Sequence, residues 1–80
     1  MDINEIKEIV DAFLVDELEI DESKIEDDAR LKEDLGIDSL EVVDVIVLVE
    51  EKFGFKMQRE DFKNLKTYGE FCQFIAGKVA

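Results

Sequence analysis

Apolar residues recur every three or four positions at the start of the chain. Ile3, Ile6, Val10, Phe13, Leu14 and Leu18 form one stripe with charged residues between them, the pattern of an amphipathic helix that buries one face. Asp2 and Glu5 stand three apart, the spacing of a capping box in which the first residue accepts an orphan backbone N–H. β-Branched Val15 and the turn-prone Asp21-Glu22-Ser23 predict an end near residues 18–20. Residues 20–36 then read as a long charged connection, anchored by Ile20, Ile25, Leu31 and Leu35. Connections of that length are uncommon in small domains and often functional.

A second element is predicted from about Ser39 to Phe53. Val42, Val43, Val45, Ile46, Val47 and Val49 favour a strand by local propensity. A length of ~14 residues is long for a strand, however. Asp38 and Glu41 repeat the capping-box spacing, and Gly54 supplies a C-terminal stop. The element is therefore read as a helix. On a wheel of 100° per residue, Val42, Val43, Ile46, Val49 and Phe53 share a face expected in the core. Leu40, Glu41, Asp44, Val47, Leu48, Glu51 and Lys52 share the opposite one. Three sizeable apolar residues among acids on the water side are either ordinary scattered exposure or a docking surface.

Phe55 to Asn64 reads as a loop with one or two helical turns, anchored by Met57, Phe62 and Leu65. A last helix begins at Thr67, with Glu70 three residues on as a third capping box. Tyr68, Phe71, Cys72, Ile75 and Val79 make its apolar stripe, so Cys72 is expected to be a buried, inert thiol. The predicted fold is all-α: a small four-helix bundle, three main helices plus a short third, with a long first loop. One domain is expected over residues 1–80.

Charge adds a partner class. The chain has 22 acids, 10 bases, a formal net charge of −12 and no histidine. Residues 1–51 hold 19 acids and 4 bases, whereas residues 52–80 hold 3 acids and 6 bases. Such a surface either keeps a small domain soluble or gives it a one-sided handle for basic patches on other proteins. Nucleic acid is not an expected partner, because phosphate neutralisation needs a basic footprint. Charges interrupt every apolar stretch well before a bilayer-spanning length, so no membrane insertion is expected. Asp2, Glu5 and Glu8 follow Met1 directly, unlike a secretory signal. A cytoplasmic, free-standing, monomeric protein is expected.

Composition also limits chemistry. Without histidine the commonest general base is missing, and a Ser/His/Asp triad is impossible. One cysteine cannot fill a zinc site or form an internal disulfide. An EF-hand starting at Asp21 fails, with Glu26 at the glycine position and Lys32 at the bidentate glutamate position. No metal site and no catalysis by this chain's own groups are expected.

One segment stands out. Asp34-Leu35-Gly36-Ile37-Asp38-Ser39-Leu40-Glu41 closes the long loop and opens the second helix. Ser39 follows the cap residue Asp38 and is expected to expose its hydroxyl. Free N–H groups and the helix dipole there favour an attached phosphate, against repulsion from Asp34, Asp38 and Glu41. Taken alone, Asp-Ser-Leu is an ordinary helix start.

The wider pattern resembles the acyl carrier protein family. It comprises Asp34-Leu35-Gly36, Asp38-Ser39-Leu40, the acids Glu41 and Asp44, and Glu50-Glu51 leading to Phe53. The likeness extends over nearly the whole chain. By that resemblance Ser39 receives 4'-phosphopantetheine from coenzyme A through a separate, magnesium-dependent phosphopantetheinyl transferase. Asp38 is the adjacent acid that assists. The resemblance makes Leu40 and Val47 apolar contacts for partner enzymes. It makes Glu41, Asp44, Glu50 and Glu51 the acids that meet basic docking patches on acyl-transferring, condensing and reducing enzymes. Leu48 joins that face by its place on the wheel. In the fatty acid branch of the family, Ile46, Val49, Met57, Phe62, Leu65 and Phe74 would line an acyl pocket.

The chain departs from the fatty acid pattern. Lys52 stands where an acid is common and Gln58 where a proline is common. Lys56, Arg59, Lys63 and Lys66 make the following segment basic, and Phe55, Phe62, Phe71 and Phe74 are bulky. The cargo is left open among fatty acid, polyketide, modified lipid and aminoacyl groups such as D-alanyl. The reading from another class is an unmodified acidic helical adaptor that binds basic protein surfaces.

Overall fold

The computed structural model describes residues 2–79. Helix α1 spans Ile3–Asp16, α2 Glu41–Phe53, α3 Arg59–Lys63 and α4 Tyr68–Val79, with one 3-10 turn at Glu22–Lys24 in the long connection. The expected all-α bundle of three main helices and a short third is what forms. α1 packs on α4 and α2 on α3, around a core of buried residues that runs from Ile6 to Ile75.

α1 buries Ile6, Val10, Phe13 and Leu14, as its stripe predicts, and Asp2 accepts the Asn4 N–H. It stops at Asp16, earlier than the expected 18–20. Glu19 adopts a left-handed φ of 54°, and the Ile20 N–H donates to the Leu14 carbonyl at 3.0 Å. This reversal brings Ile20 into the core, and that burial offsets the cost of a left-handed non-glycine residue. Leu18 packs against the core from outside the helix.

The long connection is tied down rather than loose. Asp21 accepts from both the backbone N–H and the hydroxyl of Ser23, shaping the 3-10 turn. Lys7 pairs with Asp27 at 2.9 Å, and this carboxylate holds the Lys7 ammonium above its ordinary pKa. The Leu31 N–H donates to the Lys66 carbonyl and the Tyr68 N–H to the Ala29 carbonyl, each at 2.9 Å. Arg30 and Thr67 thereby form an isolated antiparallel bridge, pairing that the helical pattern did not predict. Ala29 is buried there. The Asp34-Leu35-Gly36 motif closes the loop. Asp34 accepts the Arg30 N–H at 2.8 Å and Leu35 enters the core. Gly36 takes a φ of 71°, a conformation that favours glycine, and the Ile37 N–H reaches the Leu31 carbonyl at 2.9 Å.

α2 is a helix, but it is rotated from its expected face. Val45 and Val49 are fully buried, whereas Val43, expected in the core, is 40 % exposed. Val42, Ile46 and Phe53 pack at the edge of the core, and so does Leu48, which the wheel placed toward water. Seven of the eight residues 42–49 are apolar, so local hydrophobicity does not select a face. Packing against α3 and into the shared core selects it instead. Gly54 ends the helix with a φ of 78°.

The α3–α4 region sets one wall of the site. Asp61 accepts the Gln58 N–H at 3.0 Å, a cap the sequence reading missed. Phe62 is buried edge-on against Phe71, with centroids 6.0 Å apart. Thr67 accepts the Glu70 N–H at 3.2 Å, as its capping-box spacing predicts. In α4, the Tyr68 hydroxyl donates to Asp11 of α1, and burial raises its pKa well above the ordinary phenol range. Cys72 is buried as expected, and desolvation pushes its thiol up to about 11.

Candidate functional site

Helical bonding of α2 begins at Asp38, whose carbonyl accepts the Val42 N–H at 3.0 Å. The Asp38 side chain accepts the Leu40 N–H at 2.9 Å and the Glu41 N–H at 3.2 Å. It thus satisfies two of the donors that a helix start leaves open. This corrects the expectation that free N–H groups at this helix start favour a phosphate on Ser39. The Leu40 and Glu41 N–H groups are already held by a carboxylate.

Ser39 sits between the cap and the helix, exposed. Among the described residues its hydroxyl has no hydrogen-bond partner. The other serine, Ser23, donates its hydroxyl to Asp21 at 2.9 Å. Ser39 therefore presents the more accessible nucleophilic oxygen. Attachment of a bulky group there requires no buried contact to be broken.

From Ser39 the surface continues in two directions. Along α2, Leu40 is 81 % exposed, Val43 40 % and Val47 49 %. Asp44, Glu50 and Glu51 are exposed beside them, and Glu41 is half-exposed. The exposure expected from the sequence along this side of α2 is therefore largely present, with two changes. Val43 joins it, and Leu48 turns partly into the core. Val43 was missed because a helix apolar on nearly every side hides which of its valines face out.

Between α2, α3 and the long connection lies an open groove of about 730 Å³, lined in part by Ser39. Leu31, Ile37, Val42, Phe62 and Leu65 supply its apolar walls, and Arg30, Lys32, Arg59, Lys63 and Lys66 its cations. Of the six expected acyl-pocket residues, Phe62 and Leu65 line this groove. Val49 and Met57 are buried in the core. Ile46 packs at the core edge. Phe74 lines a separate depression with Lys7 and Asp27, its ring 6.2 Å from that of Phe55. The structure does not bring the six together around one cavity.

No cluster of acids, cysteine or histidine among the described residues has the geometry to hold a metal ion. No described helix is long and apolar enough to cross a membrane.

Comparison with known proteins fits the arrangement around Ser39. The family model described as "Phosphopantetheine attachment site" matches residues 7–75. The acyl carrier protein of Thermosynechococcus vestitus is 40 % identical over 80 residues, which is all of this chain and 99 % of that protein. The cofactor of this family is 4'-phosphopantetheine, and an exposed serine hydroxyl free of partners fits its attachment. A match over most of the chain and a relative aligned end to end leave one conclusion: this chain belongs to the phosphopantetheine-binding acyl carrier protein family.

Proposed function

We propose that the chain carries acyl groups on 4'-phosphopantetheine attached to the Ser39 hydroxyl and presents them to successive enzymes. The observation that carries this reading is the uncommitted hydroxyl of Ser39 in the turn that opens α2, next to Leu40, Val43 and Val47. When bound, the group supplies a flexible arm ending in a thiol that holds acyl cargo as a thioester. The protein's own residues anchor, orient and dock. Asp38 fixes the turn that displays Ser39.

The apolar residues of α2 offer short-range contact, while Glu41, Asp44, Glu50 and Glu51 speed encounter with basic patches. Tethering raises the cargo's local concentration at each partner. The partners are then a phosphopantetheinyl transferase and acyl-transferring, condensing and reducing enzymes. Cys72 is a poor competing nucleophile, because burial keeps its thiol protonated.

The test is intact mass after incubation with coenzyme A, magnesium and a broad-specificity transferase. The wild-type chain should gain one phosphopantetheine, and Ser39→Ala should gain none while keeping its circular dichroism. A wild-type chain that stays unmodified would favour an acidic adaptor using the same α2 face. Loading that persists on Ser39→Ala would move the attachment elsewhere, to Ser23 for instance.

A further inference from the structure

The basic groove beside Ser39 is unusual for so acidic a chain. Five of the ten cations, Arg30, Lys32, Arg59, Lys63 and Lys66, line it. Three acids, Glu33, Asp38 and Glu70, stand against them. Glu33 pairs with Arg30, Asp38 accepts the Leu40 and Glu41 N–H groups, and Glu70 accepts from the Thr67 hydroxyl. Among the described residues the other four cations have no carboxylate within ion-pair distance; the pairs present are Lys7 with Asp27 and Arg30 with Glu33.

The groove therefore combines apolar walls from Leu31, Ile37, Phe62 and Leu65 with a surplus of unpaired positive charge. At about 730 Å³ it lies in the size range of small-molecule sites, about 300–1,000 Å³. A purely alkyl cargo would leave these cations without partners. A cationic aminoacyl cargo would be repelled by them.

We propose that this groove receives the acyl group carried from Ser39 and favours a cargo with an anionic end, a dicarboxylic acid joined through one carboxyl. The methylene segment lies against the apolar walls, and the distal carboxylate meets Arg59, Lys63 and Lys66. This assignment rests on the carrier reading above. It concerns which cargo is sheltered between enzymes. The α2 docking face stays free for partners.

The test loads the full chain with an adipoyl or a hexanoyl arm, using the matching acyl-coenzyme A and the transferase. Both cargoes have six carbons and share the same arm phosphate, so a difference between them reports the terminal carboxylate alone. Intact mass is read first. A chain that takes up neither arm overturns the carrier reading, and this assignment with it. With both loaded, backbone amide shifts at Phe62, Lys63, Leu65 and Lys66 should be larger for adipoyl. Thioester cleavage by hydroxylamine should be about two- to fivefold slower for adipoyl, the scale of one modest charge contact. High salt should narrow that gap.

Arg59→Gln with Lys63→Gln should abolish the adipoyl effect and leave hexanoyl unchanged. Lys66→Gln alone provides a second variant outside α3. Equal shifts and equal rates for the two cargoes would show that the cations read only the arm phosphate, and would overturn the assignment. Larger shifts for hexanoyl would overturn it in favour of an alkyl groove.

Discussion

The carbonyl oxygen of Asp27 stands 2.8 Å from the position a β-carbon on Gly69 would occupy, and it accepts the Gly69 N–H at 2.9 Å. The long connection is thus clamped to the first turn of α4 at a point where only glycine fits. Backbone cannot yield as a flexible side chain can. Gly69→Ala is therefore expected to destabilise the fold by about 1–3 kcal/mol, the usual cost of overpacking. Gly77, in the same helix, has nothing within 4 Å of its β-carbon position. Gly77→Ala should be neutral or stabilising by up to about 1 kcal/mol. Urea unfolding of the two variants checks this, and equal midpoints would refute the clamp.

Asp38 holds the α2 start through two N–H groups. Asp38→Ala should cost about 0.5–2 kcal/mol, the usual worth of a cap, and Asp38→Asn should restore most of it. Denaturation measures the structural part. The initial rate of phosphopantetheine loading measures any separate effect at Ser39, and a loading defect in a stably folded Asp38→Asn would separate charge from capping.

Alkaline pH should weaken the fold from a defined side. The Cys72 thiol is raised from an ordinary value of 9.0 to about 11, and Tyr68 is raised further from 10.0. Both groups favour the neutral form when folded. The Cys72 contribution is fully present below pH 9 and is lost as pH rises through 9 to 11, and the Tyr68 contribution is fully present below pH 10 and declines above it, because the unfolded chain releases these protons first. The melting temperature should fall across that window. Cys72→Ala should flatten the onset of the fall, measured relative to its own value at pH 8. An unchanged slope in that variant would locate the alkaline sensitivity elsewhere.

Val47 and Leu48 are adjacent but face different tasks. Val47 is half exposed, while Leu48 packs against the core. Val47→Ala should change stability by no more than about 0.5 kcal/mol and speed dissociation from a partner enzyme. Leu48→Ala should cost about 1–2 kcal/mol of stability, part of the usual price of a core leucine. Asp44→Lys should instead slow association and reduce its salt dependence. Binding kinetics at two salt concentrations, beside thermal melts, separate the three. A Leu48→Ala chain as stable as Val47→Ala would contradict the rotation of α2.

The acidic surplus should make stability respond to ions. With 19 acids against 4 bases in residues 1–51, self-repulsion opposes the compact state and screening relieves it. Sodium chloride or magnesium should raise the melting temperature. A value indifferent to both would show that repulsion does not limit this fold.

Periodicity and punctuation in the sequence alone determined most of the architecture. Three-four spacing marks α1 and α4, because each has one apolar face and a polar remainder. Gly54 and Thr67 bound their helices through local backbone geometry and capping. Asp38-Ser39-Leu40 is legible for the same reason, since a cap and an exposed first turn involve neighbours only. Tertiary structure decided the rest. In α2, where residues 42–49 are apolar except Asp44, only the surroundings could turn Val45 inward and Val43 out. The Asp-Leu-Gly motif acquires its role as a loop closure only when the Arg30 N–H and the Leu31 carbonyl come within reach. The groove, too, exists only in three dimensions. Arg30 and Lys63 lie more than thirty residues apart in the chain, and they line one cavity because the Arg30–Thr67 bridge ties the long connection to the start of α4.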